Sequence, residues 1–180
     1  MTTFTQYTPE TANTEHAKET LTNIKNKYGF IPNLFAYMAE APTTVDAYLM
    51  LNDLVSKTSL TSAQQQITLL TASVENDCEF CSVAHQAFGK LSKVDQQTMK
   101  AIVNGDEVKN QKDRALIILT KSIVKNRGRL TQHEIENFID AGFTTQQIFE
   151  VILAVTIKTL SNYINHLTLP EPNKELLEML

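Results

Sequence analysis

The chain has 180 residues, 42% of them hydrophobic and 20% charged, a profile ordinary for one soluble globular domain that buries a core. Its net charge of −4, from 16 basic and 20 acidic residues with no basic block, gives no nucleic-acid footprint. The stretch before Pro9 lacks the basic and apolar regions of a signal peptide. The longest nearly apolar run, Val151 to Ile157, falls well short of the about 20 residues that cross a bilayer. A cytoplasmic protein with neither nucleic acid nor membrane as partner is expected.

In chain order, residues 1–10 read as a flexible arm, and residues 11–180 as a single helical domain. Ala17, Leu21, Ile24 and Tyr28 recur at helical spacing, and Gly29 ends that helix. Phe30 to Asn33 is a turn around Pro32, followed by a short helix from Leu34 to Ala39. Pro42 opens the next helix, with Val45, Tyr48, Leu49, Asn52 and Val55 as its stripe. Thr61 or Ser62 caps a helix to about Glu75. Asn76 or Asp77 caps another from Cys78 to about Phe88, closed by Gly89. Asp95 to Val103, residues 111 to 126, and Thr131 to Asp140 follow. The last long helix, about Gln146 to His166, is apolar nearly all round between Ile148 and Ile157, which places it at the domain centre or in a subunit contact. Pro170 and Pro172 end it, and Leu176, Leu177 and Leu180 suggest a docking tail. No stretch alternates with period two, so the fold class is all-α, a multi-helix bundle.

Both cysteines lie in one short segment, Cys78-Glu79-Phe80-Cys81, with His85 four positions after the second. In a reducing compartment such a pair is more often catalytic or metal-binding than a structural staple. On a helix, Phe80, Val83, Ala84, Ala87 and Phe88 form an apolar stripe, and Cys78, Cys81 and His85 cluster within an arc of roughly 60° beside it. The helix N-terminus favours a thiolate, slightly more at Cys78. His85, one turn beyond Cys81, favours Cys81, and proton removal needs a base within reach. A redox-active dithiol is therefore expected, with zinc binding as the alternative; His166 or His133 would then supply the fourth ligand. His166, with Asn162 and Tyr163, forms a polar patch on the last helix that is a candidate site lining.

The stretch from Gln65 to His85 resembles the signature of the alkylhydroperoxidase D-like, carboxymuconolactone decarboxylase superfamily, in which a glutamate stands about a helix upstream of Cys-x-x-Cys-x-x-x-His. Tyr28 to Phe35 is similar to the opening segment of these proteins, and Arg127-Gly128-Arg129 and Lys158 to His166 to their later half. The resemblance implies an all-helical domain assembling as homo-oligomers, trimers or hexamers built from them. It implies a peroxidase-type oxidoreductase without metal or organic cofactor. Cys81 would attack a hydroperoxide and become a sulfenic acid, Cys78 would resolve it to a disulfide, and an external dithiol or protein reductant would restore the thiols. His85 would belong to the proton relay. The family glutamate falls on Gln66 here, which can orient an imidazole but cannot take up a proton. Glu75, three residues before Cys78, is the candidate substitute. A cofactor-free lyase like the decarboxylase branch, and a zinc-binding or redox-sensing oligomer without enzymatic activity, are the alternatives.

Overall fold

A computed structural model describes residues 3–180; Met1 and Thr2, the first residues of the expected arm, lie outside the described residues. Ten helices and no strands are present among the described residues. They are α1 (Glu15–Tyr28), α2 (Asn33–Met38), α3 (Pro42–Ser56), α4 (Ser62–Glu75), α5 (Glu79–Leu91), α6 (Gln96–Asn104), α7 (Gln111–Lys125), α8 (Gln132–Asp140), α9 (Thr145–Thr168) and α10 (Lys174–Glu178). The expected all-α class stands, and six of the ten helices begin at a capping side chain. Thr61, Thr131 and Thr144 form reciprocal capping boxes with Gln64, Glu134 and Gln147. Thr14, Asp95 and Asn110 each accept a hydrogen bond from a first-turn N–H. Gly29 ends α1 at φ 82°, a conformation that costs a glycine little.

α4 packs against α5, α7 and α9 and lies at the middle of the molecule. On one side Ile67 and Leu70 join Ile102, Leu116, Leu119, Ile123, Phe138 and Val151 in one core. On the other, α5 lays Phe80, Ala84 and Ala87 against Leu21, Ile24, Phe35 and Val45 from α1, α2 and α3. α9 closes the gap between them, burying Val151, Ala154, Ile157, Lys158, Ser161, Asn162 and Asn165 along one face. Its other face stays open: Phe149 is 73% exposed, Tyr163 59% and Leu167 66%. The all-round apolar run expected of this helix is therefore buried on one side only.

Two further expectations shift. Gly89 does not end α5, which runs two residues beyond it; the glycine is where Met99 packs, with the Met99 Sδ only 2.7 Å from the place a Cβ would occupy. The tail docks through one leucine of three. Leu176 is buried, whereas Leu177 and Leu180 are half exposed. Asn173 anchors it, accepting from the Asn33 N–H at 2.8 Å and donating to the Ile31 carbonyl at 3.2 Å. That ties the C-terminus to the turn before α2, close beneath the α5 site. Among the described residues, no single helix is long and apolar enough to cross a membrane.

Candidate active site

The turn between α4 and α5 sets the two sulfurs. Asp77 takes a left-handed conformation, φ 53°, which an aspartate tolerates better than most residues. That reversal makes Cys78, in extended backbone, the residue preceding α5, and its N–H donates to the Ser73 carbonyl at 2.9 Å. The helix therefore starts at Glu79, one residue later than the spacing predicts, and Cys81 sits in its first turn near unpaired N–H groups. Both thiols are free and buried. From α9, the Asn165 amide donates to Cys78 Sγ at 3.5 Å and to Cys81 Sγ at 3.2 Å, so one side chain bridges the pair.

His85 does not hydrogen-bond Cys81. Its Nε2 lies 2.8 Å from the Nζ of Lys158, and its Nδ1 lies 3.0 Å from the Oε1 of Gln66. An ammonium can only donate, so Nε2 accepts and Nδ1 carries the proton it gives to Gln66. Lys158 is 1% exposed and stands beside the Cys81 sulfur, whose charge acts on it. Hydrogen bonds link Gln66, His85 and Lys158 in that order, and Lys158 and Cys81 line the same cavity.

The charges support one another. A hydrogen bond from the Cys78 thiol, the Lys158 charge and the Ser161 hydroxyl outweigh burial and bring Cys81 from 9.0 down to about 5. Cys78 moves the opposite way, raised by its hydrogen bond to Cys81, by burial and by the neighbouring negative charge. Burial, then the Lys158 charge, hold His85 well below its ordinary value, so it is a neutral imidazole. Burial alone would lower Lys158, but the Cys81 thiolate, Tyr48 and Cys78 raise it above 10.5. At neutral pH the site thus holds a Cys81 thiolate, a Cys78 thiol, a neutral His85 and a charged Lys158.

Of the residues singled out by sequence, Cys78, Cys81, His85 and Gln66 come together. Glu75 does not. Its carboxylate is held by Lys121 at 3.1 Å and Lys125 at 3.0 Å, both on α7, and it lines no part of the cavity at Cys81. Three residues from Cys78 in sequence, it faces the other way because the chain reverses at Asp77. Asn162 is fully buried and accepts from Asn76 at 2.9 Å, Tyr163 points outward, and His166, though exposed, lines a cavity at Cys78. Sequence reasoning missed Lys158, Ser161 and Asn165. One signal was present: a lysine in the middle of an otherwise apolar helix has to find a partner if that helix is buried. The zinc alternative finds no support in the donor set, because among the described residues no three His, Cys, Asp or Glu side chains converge as ligands. His133 pairs with Asn137 on the surface of α8.

Cys81, Gln66, His85 and Lys158 open onto a cavity of about 80 Å³. Apart from Asn52, its remaining wall is apolar and aromatic, with Phe35, Tyr48, Phe80 and Phe88. Cys78 lines a different cavity, with Asn165, His166 and Glu171. No protein-family model and no curated protein sequence matches the chain. Solved structures do. The alkylhydroperoxidase D core of a peroxidase-related protein from Ralstonia eutropha superposes with a TM-score of 0.82 at 19% identity, over 98% of this chain and 96% of that one.

The chain has the alkylhydroperoxidase D-like fold.

A protein from Agrobacterium tumefaciens described as a putative antioxidant defence protein of the alkylhydroperoxidase D type aligns at TM-score 0.68 and 18% identity, over 76% of this chain and 95% of that one. The debrominase Bmp8, whose structure is also known with 2,3,4-tribromopyrrole, aligns at TM-score 0.80 and 13% identity, over 99% of this chain and 96% of that one. The alkylhydroperoxidase D-like fold is thus shared by proteins described by different activities. Within this example of it, Gln66 occupies the position expected for an acid, and the buried cation beside Cys81 is a lysine from α9.

Proposed function

We propose that the protein is a cofactor-free dithiol oxidoreductase that reduces small organic hydroperoxides through Cys81. The observation that carries this reading is the buried Cys81–Lys158 pair, backed by His85 and Gln66 and facing an apolar cavity. The Cys81 thiolate attacks the distal oxygen of the hydroperoxide. The O–O bond breaks, the sulfur becomes a sulfenic acid, and an alkoxide leaves. At that moment Lys158 loses its counter-ion. Burial, which already opposes its charge, then dominates, and the ammonium becomes an acid able to protonate the alkoxide. His85, with Nε2 as acceptor, orients the ammonium, and Gln66 fixes the imidazole tautomer. No proton-accepting glutamate is needed at position 66, because the lysine holds the proton. The Cys78 sulfur then displaces water from the sulfenic acid, giving the Cys78–Cys81 disulfide, which an external dithiol reduces.

Phe149, Ile152, Tyr163 and Leu167 on the open face of α9 suit a homo-oligomeric contact, so the same reading includes assembly as a trimer or a hexamer. The test is hydroperoxide consumption with dithiothreitol as reductant. Wild-type turnover should vanish in Cys81→Ser, and full activity in that variant would refute the reading. A second reading uses the same two-electron chemistry on a small halogenated aromatic, releasing halide and forming the same disulfide. The aromatic wall of the cavity favours it, and the debrominase shares the fold. Bromide release from a bromopyrrole with dithiothreitol separates the two.

A further inference from the structure

The two sulfurs face different openings. Cys81 lines the aromatic cavity, Cys78 lines a second one, and the two walls share only Phe80, itself buried. The Cys78 cavity is larger, about 340 Å³, and of another character. Asp77, Glu79 and Glu171 are exposed on its rim together with His166, three acidic side chains to one histidine, and no lysine or arginine lines it. Asn165 lines it too. That side chain is 3% exposed, spends its amide hydrogens on the two sulfurs, and leaves its Oδ1 buried without a partner. A buried carbonyl oxygen of this kind is costly unless something donates to it.

The geometry points to the Cys78 cavity as the docking site of the reductant, a small uncharged or cationic dithiol that attacks the Cys78 sulfur of the oxidised pair while the aromatic cavity stays free for substrate. This rests on the dithiol cycle proposed above. A donor thiolate attacks Cys78 Sγ, the Cys78–Cys81 bond breaks, and its electron pair leaves on Cys81. A mixed disulfide between donor and Cys78 results. The donor's second thiolate then attacks the donor sulfur bound to Cys78, closing a cyclic disulfide and freeing Cys78, which takes one of the donor's protons while Lys158, left neutral by the oxidation, takes the other. Two electrons and two protons pass from donor to protein. Cys81 is the better leaving group of the two, because Lys158 and the first turn of α5 stabilise its thiolate. The free Asn165 Oδ1 can accept a hydrogen bond from an N–H or O–H on the donor. The acidic rim repels an anionic thiol.

The disulfide is formed with diamide, so this step is tested whatever the physiological oxidant. The oxidised protein is then treated with cysteamine (a cation), 2-mercaptoethanol (neutral) or 3-mercaptopropionate (an anion), quenched in acid, alkylated and mapped by mass spectrometry. The donor is expected on Cys78 and the alkyl group on Cys81. Rates per thiolate should fall from cation to neutral to anion, spanning about tenfold at low salt and narrowing as salt screens the rim. The double variant Glu79→Gln/Glu171→Gln should compress that span. A donor found on Cys81, rates indifferent to donor charge in the wild type, or no Cys78–Cys81 disulfide after diamide would each overturn the proposal. A protein that passes this test but forms no disulfide with hydroperoxide or halogenated aromatic would refute the substrate readings alone.

Discussion

Replacing Lys158 by methionine removes the cation that, with the Cys78 thiol, keeps Cys81 ionised, while keeping a side chain of similar length. Lys158 is 1% exposed, and removing one partner of a buried pair costs about 3–5 kcal/mol while the other stays charged, a cost that Cys81 limits by taking up a proton. Cys81 stands at about 5 in the wild type. A contacting opposite charge moves a titrating group by about 1 to 3 pH units, so the variant's midpoint should rise to about 6–8. Burial already opposes ionisation of this sulfur and favours the upper end of that range. There, only about a tenth of Cys81 would be thiolate at neutral pH, against nearly all of it in the wild type. The assay is thiolate ultraviolet absorbance, followed against pH with Cys78 in place, whose raised thiol stays protonated while Cys81 titrates. Circular dichroism serves as the fold control. A folded Lys158→Met variant whose midpoint stays near the wild-type value would refute the lysine's share in the activation, and with it the proton delivery assigned to it.

Gln66→Glu places a carboxylate against the His85 Nδ1 proton. It should raise the imidazole's pKa towards neutrality, visible as a shifted His85 resonance in proton NMR and as a new limb in the pH–rate profile; an unmoved resonance would count against the assigned tautomer. Glu75→Gln should leave hydroperoxide turnover unchanged, because the carboxylate serves only Lys121 and Lys125. Its stability loss, read from urea unfolding, should be about 1 kcal/mol or less after screening at the half-exposed lysines. Stability of the reduced protein should depend on pH through Cys81. Its folded pKa is depressed, so that stabilisation is fully present above the unfolded value of about 9 and is lost as pH falls through the folded value of about 5. Thermal unfolding of the wild type should therefore lose more between pH 8 and about 5 than that of Cys81→Ser, and parallel curves would refute the shift.

Local signals carried much of the structure. Thr61, Thr131 and Thr144, each with Gln or Glu three residues on, mark helix starts that the fold reproduces, and periodic apolar residues place the helices between them. The Cys78, Cys81 and His85 cluster was legible because Cys81 and His85 lie on one helix and Cys78 immediately precedes it, and Gln66 because resemblance fixed its place upstream. Lys158 lay outside that reach. It is 73 residues from His85, and which face of α9 meets α5 depends on how three helices pack, which no local pattern encodes. Glu75 misled for the complementary reason: nearness in sequence fails across a chain reversal such as the one at Asp77. Gly89 misled because a small residue that ends a helix and one that admits a neighbouring side chain look the same in sequence; Met99 decides between them.

The most direct measurement is to treat the reduced single-cysteine variants with one equivalent of an organic hydroperoxide in the presence of dimedone, and to map the product by mass spectrometry. The account predicts a dimedone adduct on Cys81 in Cys78→Ser, none in Cys81→Ser, and a Cys78–Cys81 disulfide in the wild type. An adduct on Cys78 in Cys81→Ser, with Cys81 unmodified in its partner variant, would contradict it.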